Sequence, residues 1–125
     1  MTSPPDAISP IVSFVDEEKG LVLLQAFGFQ EKSVMRDDSG KITHSEVTWG
    51  STVLMPTRRE PGKPFSPGPA CMYLTIDDPD ALFTRLADRD DLTVVMELTD
   101  QDYGSRDFAV KDDSDNVWAF GTYRP

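Results

Sequence analysis

The feature that most constrains this chain is an order of elements that occurs twice. Ser9-Pro10-Ile11-Val12-Ser13-Phe14-Val15-Asp16 and Cys71-Met72-Tyr73-Leu74-Thr75-Ile76-Asp77-Asp78 share one pattern, an apolar strand running into an aspartate placed to cap a helix. In the first half, residues 8–15 read as a strand rich in Ile, Val and Phe. Asp16 caps a short helix whose first turn holds Glu17 and Glu18, where the helix dipole favours anions. Leu21, Leu24 and Phe27 recur at helical spacing and Gly28 terminates the run, while Gly20 weakens its middle. Three strands follow, at residues 29–36, 42–49 and 52–55. A polar turn, Asp37-Asp38-Ser39-Gly40, separates the first two, and the tight turn Gly50-Ser51 separates the last two.

The second half repeats this plan. Residues 71–76 read as a strand, and Asp78-Pro79 starts a helix with a cap followed by proline at the first helical position. Leu82, Phe83 and Leu86 form its apolar stripe. Strands are expected at 92–97, 106–111 and 116–123, with a turn at 112–115. Between the halves, Pro56, Pro61, Pro64, Pro67 and Pro69 mark an exposed connector. The chain is therefore read as α+β: a module at 8–57, a connector at 58–69 and a second module at 70–123. Its 125 residues suit a single domain.

Composition narrows the function. Asp and Glu number 22 against 12 Lys and Arg, a formal charge of −10. With no basic patch to neutralise phosphates, nucleic acid is not an expected partner, whereas a cationic ligand is favoured at long range. No run approaches the ~18 apolar residues of a membrane span, so no membrane partner is expected. Met1-Thr2-Ser3-Pro4-Pro5-Asp6 lacks a basic region followed by an apolar one, which makes the cytoplasm the expected location. The one cysteine, Cys71, allows no internal disulfide.

The twofold β-α-β-β-β order resembles the glyoxalase/bleomycin-resistance/dioxygenase (vicinal-oxygen-chelate) superfamily. Ala26-Phe27-Gly28-Phe29 is similar to that family's end-of-helix phrase, and His44-Ser45-Glu46-Val47-Thr48-Trp49-Gly50 to its third strand. Tyr103-Gly104-Ser105-Arg106-Asp107-Phe108, with Asp112-Asp113-Ser114-Asp115-Asn116-Val117-Trp118-Ala119-Phe120, resembles its closing hairpin. The resemblance implies curved mixed sheets enclosing a concave cavity and a homodimer with pockets shared between subunits. The proline-rich connector would let the halves exchange. The family's metalloenzymes hold a divalent ion at positions that fall here on Ser9, Met55, Cys71 and Ala119. Ser, Met and Ala are poor ligands for such a cation, and His44 is the single histidine. No metal and no cofactor are expected.

Strand alternation suggests what lines the cavity instead. With Gly50-Ser51 as the turn, Thr48 opposes Val53 and Glu46 opposes Met55, and His44 follows by period two. With 112–115 as a four-residue loop, Phe108 opposes Ala119, so Phe108, Ala119 and Arg106 should share the cavity face. Tyr73 lies on the face of Cys71. The candidate ligand-binding set is His44, Glu46, Thr48, Met55, Tyr73, Arg106, Phe108 and Ala119. Mostly apolar walls with a few polar groups suit a small molecule. Glu46 and Arg106 either orient a polar ligand or form a structural ion pair. His44 is either an acid–base group or an edge histidine in solvent. No catalytic residue is assigned. Ser45 alternates away from His44 and Glu46, so the three cannot converge as a triad. The preferred reading is a metal-independent binding protein of the bleomycin-resistance-like branch, sequestering an antibiotic or other planar or cationic ligand. The alternative is a lyase, isomerase or thiol transferase acting on a small carbonyl or epoxide compound.

Overall fold

A computed structural model describes residues 2–125. The chain forms two compact units, one ending at Gly68 and one spanning Pro69–Pro125. In the first unit, β1 (Ile11–Phe14) leads to α1 (Glu17–Phe27), β2 (Gln30–Arg36), β3 (Ile42–Trp49) and β4 (Thr52–Arg58). Its sheet runs β1-β4-β3-β2, with β1 parallel to β4 and the other pairs antiparallel. Asp16 caps α1 by accepting the Lys19 N–H at 3.1 Å. Gly28 ends α1 at φ +140°, and its N–H returns to the Leu24 carbonyl. Val12, Phe14, Leu24, Phe27, Val47 and Leu54 form the core between α1 and the sheet. Gly20 is not merely a weak point of α1: a Cβ there would fall into the ring of Phe14. The bare backbone at Gly20 lets that ring pack flush on the helix.

The strands expected at 8–15 and 116–123 shorten to Ile11–Phe14 and Val117–Gly121, the one expected at 92–97 runs on to Asp100, and the end of β4 bears on the site. β4 continues past Met55, through Pro56, to Arg58. Proline is tolerated here because of which neighbour its nitrogen faces. The N–H groups of Met55 and Arg59 point to β1, bonding Pro10 and Phe14 carbonyls at 2.9 and 2.8 Å. The intervening residue faces β3, where the paired register has already stopped at Val47↔Leu54. Pro56 offers β3 no N–H, and Ser45 Oγ bonds its carbonyl at 3.2 Å instead.

The second unit holds β5 (Cys71–Thr75), α2 (Pro79–Leu86), β6 (Leu92–Asp100), β7 (Arg106–Asp112) and β8 (Val117–Gly121). Its sheet runs β5-β8-β7-β6, with β5 parallel to β8. Asp78 caps α2 through the Ala81 N–H at 3.1 Å, with Pro79 at the first helical position. Leu82, Leu86, Phe108, Val110, Trp118 and Phe120 make the core.

Here the expected register is corrected by one residue. The β7–β8 loop has three residues, not four: the Asp112 N–H bonds the Asn116 carbonyl at 3.0 Å, and Asp115 adopts φ +64°. That is the three-residue hairpin with a left-handed last position. Phe108 therefore opposes Phe120, and Ala109 opposes Ala119. Phe108 lies on the helix side, fully buried, with its ring 5.2 Å from Phe83 of α2. Arg106 shares that side and bonds Asp80 of α2 at 2.8 and 3.1 Å, and Asp100 at 3.0 Å. The expected Arg106–Glu46 pair is replaced by these contacts, and neither Phe108 nor Arg106 stands on the open face. Ala119 remains there, beside Tyr73.

Candidate functional site

A cleft of about 400 Å³ is lined by residues of β3 and β4 beyond the paired register that ends at Val47↔Leu54. One wall is Lys41, Ile42, Thr43 and His44; the other is Met55, Pro56, Thr57 and Arg58. Ile11 of β1, Glu17 of α1 and, from the connector, Glu60 and Phe65 complete the lining. The connector is fastened on this side of the unit. The buried Ser13 hydroxyl donates to the Pro67 carbonyl and accepts from Arg59 Nε at 2.8 Å. A second hollow adjoins the first and shares Glu17, Lys41, Ile42 and Arg58 with it.

The electrostatics of the cleft are mixed. His44 Nε2 lies 2.8 Å from Glu46 Oε2, and Lys32 Nζ stands 3.6 Å from the other carboxylate oxygen. The hydrogen bond from His44, with Lys32 assisting, holds the Glu46 carboxyl below its usual range against a smaller opposing effect of desolvation. Glu17 behaves in the opposite way. Burial pushes its carboxyl up, and the nearby Arg58 only partly offsets this.

The expected ligand-binding residues separate into groups. His44 and Met55 line the cleft, and Glu46 reaches it through His44. Thr48 sits half-buried on the paired part of the hairpin, opposite Val53. Tyr73 and Ala119 belong to the second unit, on its open face. There Tyr73 Oη donates to Asp107 Oδ1 at 2.7 Å. Glu17, Lys41, Arg58 and Phe65 were missed by sequence reasoning. Glu17 was read only as a charge on the helix dipole, and Arg58 and Phe65 fell in a segment read as connector. A proline inside a β-patterned run was the available signal, since it marks where a ladder must open.

At the metal positions implied by resemblance, the structure offers no fitting donor set. Met55 and Ala119 supply a thioether and a methyl group, Ser9 precedes β1, and Cys71 is exposed. Among the described residues, no three His, Cys, Asp or Glu side chains gather to hold an ion. No described helix is long and apolar enough to cross a membrane.

Comparisons with known proteins agree with the topology. No curated protein sequence is significantly similar to the chain. Among solved structures, TioX from Micromonospora sp. ML1 superposes with a TM-score of 0.75 at 20% identity, covering 94% of this chain and 99% of that one. A bleomycin-binding protein complexed with bleomycin gives 0.65 at 16% identity, covering 96% and 100%. Lactoylglutathione lyase from Agrobacterium tumefaciens gives 0.65 at 17% identity, covering 95% of each chain. At these identities the likeness is one of fold, and the fold hosts both binding and catalysis. The model of the Glyoxalase/Bleomycin resistance protein/Dioxygenase superfamily matches residues 23–120, and the chain belongs to that superfamily.

Proposed function

We propose that the protein binds a small organic molecule, without a metal, in the cleft lined by the ends of β3 and β4. The observation that carries this reading is the cleft itself: about 400 Å³, walled by Ile11, Met55 and Phe65, with His44 and Arg58 as polar groups. Apolar walls take an organic skeleton out of water, and a few fixed polar groups orient it. Met55 can adapt to an irregular or planar surface. The bleomycin-binding neighbour supports capture of a planar, cationic antibiotic as one form of this activity. In this reading the fold sequesters its ligand, and assembly as a homodimer is part of the proposal.

The test is calorimetric titration with a panel of planar organic cations, bleomycin included, against the wild type and Met55→Arg. Filling the cleft with a long charged side chain should weaken a genuine ligand at least tenfold, about 1.4 kcal/mol. A ligand held equally well by both proteins would place the site elsewhere.

A second reading rests on the His44–Glu46 contact. A carboxylate 2.8 Å from an imidazole fixes its orientation, which suits a general base. On this reading His44 would take a proton from a small carbonyl substrate in the cleft. Turnover of such compounds that His44→Ala abolishes, with ligand affinity retained, would favour it.

A further inference from the structure

We infer that the cleft takes a zwitterion, a small molecule whose ammonium group meets Glu17 while its carboxylate meets Arg58 and Lys41; this rests on the binding reading above. Glu17 is 7% exposed, its carboxylate oxygens keep contact with solvent, and among the described residues no hydrogen bond or ion pair reaches them. Partial burial disfavours the charged form of that carboxyl, and Arg58 offsets this only in part. The helix dipole does not explain its retention. Glu18, one residue on, also sits in the first turn of α1, and it remains exposed and paired with Arg36.

Two cations, exposed Lys41 and half-buried Arg58, line the same cleft. Lys41 and Arg58 form no side-chain hydrogen bond or ion pair among the described residues. The neighbouring arginines are engaged: Arg36 with Glu18 and the Gly40 carbonyl, Arg59 with Ser13. Arg58 is near enough to Glu17 to be felt by its carboxyl, but outside the 4.0 Å of an ion pair. All three side chains also border the adjoining hollow. Opposite charges held apart around a cavity are what a ligand bearing both charges requires.

The alternatives fit less well. A simple anion would satisfy Arg58 and Lys41 but repel the buried Glu17, and Glu60 on the rim would add to that repulsion. A simple cation would satisfy Glu17 and leave both basic groups facing it. A molecule with both groups close together, on an apolar tail, satisfies each and packs the tail on Ile11, Met55 and Phe65. Apolar α-amino acids are the simplest members of that class.

The experiment is calorimetry on the full chain with phenylalanine, leucine and methionine beside their decarboxylated and deaminated counterparts, such as phenethylamine and 3-phenylpropanoate. At least one amino acid should bind tenfold or more tightly than both truncated forms. Glu17→Gln should erase the gain due to the ammonium group but leave 3-phenylpropanoate unaffected. Arg58→Gln should do the reverse. Ligand-free Glu17→Gln should melt no lower than wild type, since burial disfavours the Glu17 charge in the folded protein. Equal affinity for complete and truncated ligands, or a Glu17→Gln variant that only loses stability, overturns the inference. If the planar cations bind in a Met55-dependent way and no amino acid does, this inference fails while the binding reading stands. If nothing binds in the cleft, both fail.

Discussion

Asp107 shows how much one residue can organise. Its side chain is buried on the open face of the second sheet, where Tyr73 Oη donates to Oδ1 at 2.7 Å and Tyr103 Oη to Oδ2 at 3.1 Å. The Ser105 hydroxyl also donates to Oδ1, and the Tyr123 N–H donates to Tyr73 Oη at 3.0 Å. Desolvation pushes the Asp107 carboxyl up, but the hydrogen bonds from Ser105, Tyr73, Tyr103 and Gln101 together outweigh it and hold the group below its usual range. The sign of the linkage follows. A carboxyl whose folded pKa is depressed contributes stability above its unfolded value, and loses it as pH falls from about 4 toward the folded value. Acid unfolding of Asp107→Asn should therefore be flatter than that of wild type below about pH 4, followed by circular dichroism. A wild-type-like acid profile would contradict the assignment. Gly121 makes the arrangement possible, because a Cβ there would overlap both Asp107 Oδ1 and Tyr73 Oη. Gly121→Ala should cost about 2–3 kcal/mol in urea unfolding by displacing the carboxylate from its donors. None of this was legible in the sequence. Tyr73 was read as a cavity wall because alternation gives a side chain's direction, and direction does not reveal a hydroxyl's partner.

At the scale of elements, the sequence carried the order and most of the boundaries. Capping aspartates, a proline at the first turn of α2 and a glycine after α1 act locally, within a turn or two of chain. They placed both helices and β3 where the structure has them. Turn length was harder. The Gly50-Ser51 turn was read correctly, so Thr48 does oppose Val53. At the closing hairpin the polar run could hold three or four loop residues, and the choice inverted a whole strand's faces. Asp112 decides it. Its carboxylate accepts the N–H groups of Ser114 and Asn116 at 2.8 and 3.0 Å and the Trp118 Nε1–H at 2.9 Å. One buried side chain thus shapes the turn and anchors a core indole, a role that no pattern of hydrophobicity encodes. Asp112→Ala should cost about 2–3 kcal/mol, because these donors and the Asn116 side-chain amide lose their acceptor in a buried site. Hydrogen exchange should show faster opening of β7 and β8 than of the first unit's strands. A variant as stable as wild type would mean that Asp113 or Asp115 can shape the turn instead.

At the scale of the whole molecule, the net charge of −10 is not evenly shared. The first unit carries nine acidic and seven basic residues, and Pro69–Pro125 carries 13 acidic and five basic. The expectation of a cationic ligand was drawn from the total, yet the cleft lies in the nearly balanced unit, where Glu17, Lys41 and Arg58 set the local field. The excess charge acts instead on the stability of the second unit. Its ion pairs, Arg106 with Asp80 and Asp100, Arg89 with Asp91, Lys111 with Asp115 and Arg124 with Asp77, are partly or largely exposed. Exposed pairs contribute little, and salt weakens them. Against them stands repulsion among 13 acidic groups, which salt also weakens. With so few cations present, repulsion is the larger effect, so added salt should stabilise this unit. Raising sodium chloride from about 10 mM to about 500 mM shortens the screening length from about 30 Å to a few ångströms. The melting temperature should rise across that range, and hydrogen exchange should slow in β5–β8 while changing little in β1–β4. A melting temperature that falls with salt would show that the ion pairs, not the surplus acids, dominate the second unit.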